Sequence, residues 1–129
     1  MKQTYDPRAH GALCDKCPLN KKTVVPPQVR LDAIIAAVGE APGYVEEKEL
    51  EPFRGPSGKM LDSVLDHHGV DRENVHVTNA ILCKAPEIKI GMEVATDTKA
   101  LNAAVACCHP RLVNQIKKLS QLRVIIPLG

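Results

Sequence analysis

Three short apolar runs constrain this chain most: LDAIIAAV at 31–38, NVHVTNAIL at 74–82 and LRVIIPL at 122–128. Each has the length of a strand, and the first is bounded by Gly39 and Pro42. Helix-spaced sequence separates them. Residues 57–68 bring Met60, Leu61, Val64 and Leu65 to one face and stop at Gly69. Asp97 is placed to cap a second helix whose stripe is Leu101, Ala104, Val105 and Cys108. Strand–helix–strand–helix–strand with right-handed crossovers predicts an α/β fold, a parallel sheet with helices on its faces. In such sheets a ligand sits beyond the carboxyl ends of the strands.

The length of 129 residues suits one domain over 1–129, with residues 1–30 as an irregular, cysteine-bearing arm. Pro26 and Pro27 favour an extended path there. Residues 39–58 read as a long Gly/Pro-rich loop, and Lys84–Thr96 as a second loop without periodicity. Pro110 predicts a break or kink, followed by a helical stretch with Leu112, Ile116 and Leu119 inward. Three parallel strands leave an open edge, so a partner or more of the same domain is expected to cover it.

Aromatics are scarce: Tyr5, Tyr44 and Phe53 are the whole set, so the core is aliphatic. A net charge of +2 permits nucleic-acid binding without arguing for it. No apolar run approaches the roughly 20 residues that span a bilayer. The start, MKQTYDPRAHGALC, has no signal-peptide core, so the expected location is cytoplasmic.

Five cysteines, Cys14, Cys17, Cys83, Cys107 and Cys108, include one CxxC and one CC pair. In a reducing compartment they read better as a metal site with a spare thiol than as disulfides. Their spacing leaves a cluster, zinc and no metal all open. Two Gly/Pro turns flank the lone Phe53. Glu40, directly after a strand, is either a base or water-positioning group or a solvated turn carboxylate. Glu46, Glu47, Glu49 and Glu51 read as a solvated loop face. Asn79 offers a planar donor–acceptor edge that suits a nucleobase, or caps its own turn. Phe53 either stacks on a flat ligand or anchors the loop.

Taken in order, CDKCPLN, VGEAPG, EE…PFRGPSGKMLDSVL, DRENVHVTNAILCKAP, CHPRL and VIIPLG resemble the iron–sulfur branch of the uracil-DNA glycosylase superfamily, families 4 and 5. GPSGKML and the VVPPQVR arm are also similar to glycosylase-like modules of phage replication proteins, some fused to DNA polymerases. The resemblance implies a three-layer α/β/α fold and a structural 4Fe–4S cluster on Cys14, Cys17, Cys83 and Cys108, with zinc as the alternative. Cys108 is preferred to Cys107 because the family pattern is Cys-x-Pro-x-Leu. It implies that Gly39, Glu40 and Ala41 form a pocket wall, that Phe53 stacks on an extruded uracil, and that Asn79 reads its edge. Glu40 is then placed to position water or support positive charge at the sugar.

The expected activity is hydrolysis of the N-glycosidic bond of uracil in single- or double-stranded DNA, as in base excision repair. Two departures qualify it. The family's His-Pro-Ser-like loop, whose His stabilises the departing base, is absent; losing such a donor costs about 10²–10³ in rate. Lys84–Thr96 lacks the basic insertion of the covalent uracil-trapping subgroup, so no covalent adduct is expected. The alternatives are a catalytically incomplete module that binds DNA, a polymerase or a completing chain, and a metal-stabilised scaffold with no nucleic-acid role.

Overall fold

The structure is a computed structural model that describes residues 5–128. The first four residues of the arm and the Gly129 that ends VIIPLG lie outside the described residues. Three strands, β1 (Ile35–Gly39), β2 (His76–Asn79) and β5 (Val124–Pro127), form a parallel sheet in the order β2-β1-β5. The two crossovers carry α2 (Pro56–His67) and α3 (Thr98–Lys117). The parallel α/β arrangement expected from the apolar runs is therefore present, with shorter strands than the runs themselves.

Two segments read as loops contain regular structure. Residues 39–58 hold a short helix, α1 (Tyr44–Glu49). Lys84–Thr96 folds into an antiparallel hairpin, β3 (Glu87–Ile90) with β4 (Glu93–Thr96), joined at Gly91-Met92 with Gly91 at φ 65°. All four residues of β3 are exposed, so its alternation has no buried face to serve.

Helix α3 also departs from expectation. Asp97 caps it as read, accepting the Ala100 N–H at 3.1 Å. It then runs unbroken through Pro110. Proline removes a donor from the helical ladder there. The carbonyl that loses its partner is that of Ala106; separately, the Cys107 carbonyl accepts the N–H of Leu13 from the arm at 2.9 Å. The inward face is not Leu112 and Ile116, which are only half-buried. It is Ala104, Arg111 and Gln115, while Leu119, just past the helix end, is buried as expected. Arg111 is fully buried and donates to the Thr78 hydroxyl at 3.1 Å and to the carbonyls of Asn79 and Ala80 at 2.7 and 2.9 Å. Carbonyls leaving the end of β2 need donors once buried, and a guanidinium supplies several at once.

On α2, Leu61 and Leu65 join Ala37, Val75 and Val77 in the core, while Met60 and Val64 of the expected stripe face outward. The arm closes one sheet edge. Gln28 and Val77 exchange backbone hydrogen bonds at 2.8 and 3.0 Å, and Gln28 Nε2 reaches the carbonyls of Arg72 and Val75. The other edge, β5, exposes about half of Val124 and Ile125.

His76 on β2 is buried, its Nδ1 accepting the Arg30 backbone N–H at 3.2 Å. Burial, then the positive charges of Arg111 and Arg30, hold its imidazole down at about 4, against an ordinary 6.5. Between those two values the unfolded chain binds a proton that the folded chain refuses. Stability is therefore expected to fall as pH drops through that window, by roughly 3 kcal/mol at its acid end. Urea unfolding between pH 7.5 and 4.5 reads this, and His76→Asn should flatten the profile. An equal slope in the variant would contradict the assignment.

Candidate functional site

The carboxyl ends of β1 and β2 place the predicted residues together. Gly39 and Asn79 are register partners at the ends of the two strands. The chains stay joined one step further, Ala80 and Ile81 donating to the carbonyls of Gly39 and Glu40 at 2.8 and 3.0 Å. Above this edge lies a cavity of about 480 Å³ lined by Glu40, Ala41, Phe53 and Asn79, with Tyr44 and Leu128. Its size falls within the ordinary range of small-molecule clefts.

Gly39 itself lies beneath the pocket. A Cβ on it would stand 2.4 Å from Phe53 Cζ and 2.5 Å from Asn79 Oδ1. The ring and the amide thus both rest on bare backbone, which only glycine permits. Asn79 is 2% exposed, yet its carboxamide makes no hydrogen bond to the described protein atoms. Asn79 lines the cavity, so its amide donors and acceptor are available to whatever fills it. Glu40 is exposed at the mouth.

One pocket residue was misread in the sequence. Glu46 is not part of a solvated face: it is buried, and its carboxylate accepts three backbone N–H groups. Oε1 takes Gly43 at 2.9 Å, and Oε2 takes Arg54 at 2.8 Å and Gly55. The carboxylate thereby ties the Gly-Glu-Ala-Pro-Gly turn to the Phe53 turn. Burial pushes its carboxyl up, but the amides of Gly55, Arg54 and Gly43 outweigh that and hold it below the ordinary 4.5. The signal was present in the spacing, since a Glu three residues into a helix that starts after Gly43 is the capping-box position. Tyr44 lines the pocket as well, and nothing in its sequence context marks it.

The cysteines form a separate site. All five line one cavity of about 330 Å³ between the arm, the start of the β3 segment and α3. Each is a free thiol and none is fully buried. Burial, then the neighbouring thiols of Cys108, Cys17 and Cys14, push Cys83 up to about 12. Among the described residues no three metal-binding side chains converge on one point. The thiols surround a space instead.

The family model described as "Uracil DNA glycosylase superfamily" matches residues 26–129. The chain belongs to that superfamily. Its curated relatives include two proteins named Type-4 uracil-DNA glycosylase. The one from Thermotoga maritima is 40% identical over 118 residues, which is 90% of this chain and 56% of that protein. The one from Pyrobaculum aerophilum is 35% identical over 114 residues, 87% of this chain and 54% of that protein. A third so named, from Archaeoglobus fulgidus, is 45% identical over 75 residues, 57% of this chain and 38% of that protein. The chain spans about half the length of the curated relatives it matches. Membership in the superfamily agrees with the parallel α/β sheet.

Proposed function

We propose that the pocket receives a uracil extruded from DNA and that the chain supports hydrolysis of its N-glycosidic bond. The observation that carries this is Asn79, whose amide lines the cavity beside the Phe53 ring and forms no hydrogen bond to the described protein atoms. Uracil presents an N3–H donor and an O4 acceptor, and cytosine presents the reverse, so a fixed amide pairs with one and not the other. The base must leave the stack to be read this way. Phe53 supplies a stacking surface worth about 1–3 kcal/mol. Glu40 at the mouth orients water or stabilises positive charge developing on the sugar. Relatives named uracil-DNA glycosylases support the reading.

The cysteine cavity fits a 4Fe–4S cluster better than zinc, because thiols spread around a space suit a multi-atom group and not a single ion. Cys14, Cys17, Cys83 and Cys108 would hold it, tying the arm to α3. When bound, the cluster supplies a cross-link rather than a step of hydrolysis. Iron content of anaerobically purified protein is expected to fall in Cys83→Ser and Cys108→Ser and to hold in Cys107→Ser. Loss in Cys107→Ser alone would reverse the choice between the adjacent thiols.

The test of activity is uracil release from a single-stranded, uracil-containing oligonucleotide by iron-loaded protein. Release that Asn79→Ala abolishes supports the reading; no release from folded, iron-loaded protein overturns it for this chain alone. A second reading has its own support: among the described residues no histidine lines the pocket, and the chain spans half of its relatives. In that reading it is a uracil- or DNA-binding module completed by a further segment or a partner such as a polymerase.

A further inference from the structure

Phe53 has φ +54°, a left-handed conformation that a bulky residue rarely adopts. Something outside the pocket must impose it. Arg72 lies in the 3-10 turn Arg72–Asn74 that precedes β2, and its side chain is 11% exposed. Its Nη1 donates to the Phe53 carbonyl at 2.7 Å and to Asp62 Oδ1 of α2 at 2.8 Å. Its Nη2 donates to the Pro52 carbonyl. These two carbonyls belong to the peptide planes on either side of the Phe53 Cα. Fixing both planes fixes φ and ψ there, and so the direction in which the ring leaves the backbone. The second plane is held at its other end too, by Glu46 on the Arg54 N–H at 2.8 Å.

We infer that Arg72 is a positioning residue for the base platform. It holds Phe53 in its left-handed backbone so that the ring lies over Gly39 beside the Asn79 amide. This rests on the uracil-pocket reading above. The planar fork is what the task needs, since one guanidinium spans two carbonyls and a carboxylate where a lysine ammonium is a point charge.

The experiment uses the iron-loaded full chain with free uracil as probe. It follows the ¹³Cα and ¹³Cβ shifts of Phe53, which report its φ and ψ, alongside the uracil Kd. Arg72→Met is expected to move the Phe53 signals out of their left-handed values while those of Ala37 and Val77 stay. The uracil Kd should rise on the order of tenfold. In a Phe53→Ala background the same substitution should change Kd less than about twofold, because Arg72 acts through the ring. Arg72→Lys keeps the Asp62 pair and should shift Phe53 in the same direction; it serves if Arg72→Met does not fold. Unmoved Phe53 signals in a folded variant, or a full loss that persists without the Phe53 ring, would overturn the inference. Absence of uracil binding by the unsubstituted chain overturns the pocket reading instead, and the Phe53 shifts still decide whether Arg72 sets that backbone.

Discussion

Gly58→Ala is expected to destabilise the protein, against the usual sign of such a change in a helix. Replacing a helical glycine by alanine ordinarily gains up to about 1 kcal/mol. Here the added Cβ would stand 1.9 Å from the Phe53 carbonyl oxygen and 2.1 Å from its carbon. Both are backbone atoms and cannot rotate away. The carbonyl is moreover the one Arg72 holds, so relief means moving either the start of α2 or the Phe53 turn. Overpacking of this kind costs about 1–3 kcal/mol and occasionally more, and the rigid partners place it at the upper end. A net loss of roughly 2 kcal/mol, seen as a Tm drop on the order of 5–10 °C, is the expected result. The uracil affinity should fall with it, because the turn that carries the ring has shifted. A Tm that rises would show that the turn and helix do not approach as described.

Glu46→Ala is the second large effect. It removes the acceptor for three backbone amides within one buried spot. Hydrogen bonds to a charged partner are worth about 1.5–3 kcal/mol each, and stranded donors are costly, but the three share one carboxylate and do not add. A loss of roughly 3 kcal/mol follows. The pH dependence separates this site from His76. A carboxyl held below 4.5 when folded contributes stability that is fully present above that value and lost as pH falls through the folded value. The Glu46 contribution therefore disappears below pH 4.5, acidic to most of the His76 window. Glu46→Gln should be less stable at neutral pH and lose less on acidification below 4.5. Equal acid sensitivity in wild type and variant would remove Glu46 from that role.

Much of the fold was legible because the strands are continuous apolar runs and Asp97 is a clear cap. What was not legible has local causes. In EIKIGMEVAT, Ile88 and Ile90 alternate with Glu87 and Lys89 around a Gly91-Met92 turn, which is a hairpin signal. With no core face the alternation is weak as a strand signal, and the hairpin is indeed exposed. Pro110 signals a break in the sequence, yet the helix continues through it, with only the Ala106 carbonyl losing its helical donor. Arg111 was invisible as an inward residue because its partners are main-chain carbonyls of β2, which sequence pattern does not show.

The site divides in the same way. Glu40, Phe53 and Asn79 were singled out by residue type and position, and the resemblance gave them roles; the structure brings them to one cavity. Glu46 holds three backbone amides, and Arg72 holds two backbone carbonyls besides the Asp62 carboxylate. Glu46 reads as a solvated charge in the sequence and Arg72 carries no signal there, whereas their geometry makes them the clamps on the two turns.

The most direct measurement is the ¹⁵N signal of the Asn79 side-chain amide as uracil or cytosine is added to the iron-loaded chain. The expected result is a saturable shift with uracil, weak or absent with cytosine, alongside perturbation of Phe53. An amide that ignores both bases, or responds to both alike, would contradict a uracil-reading pocket at the carboxyl edge of this sheet.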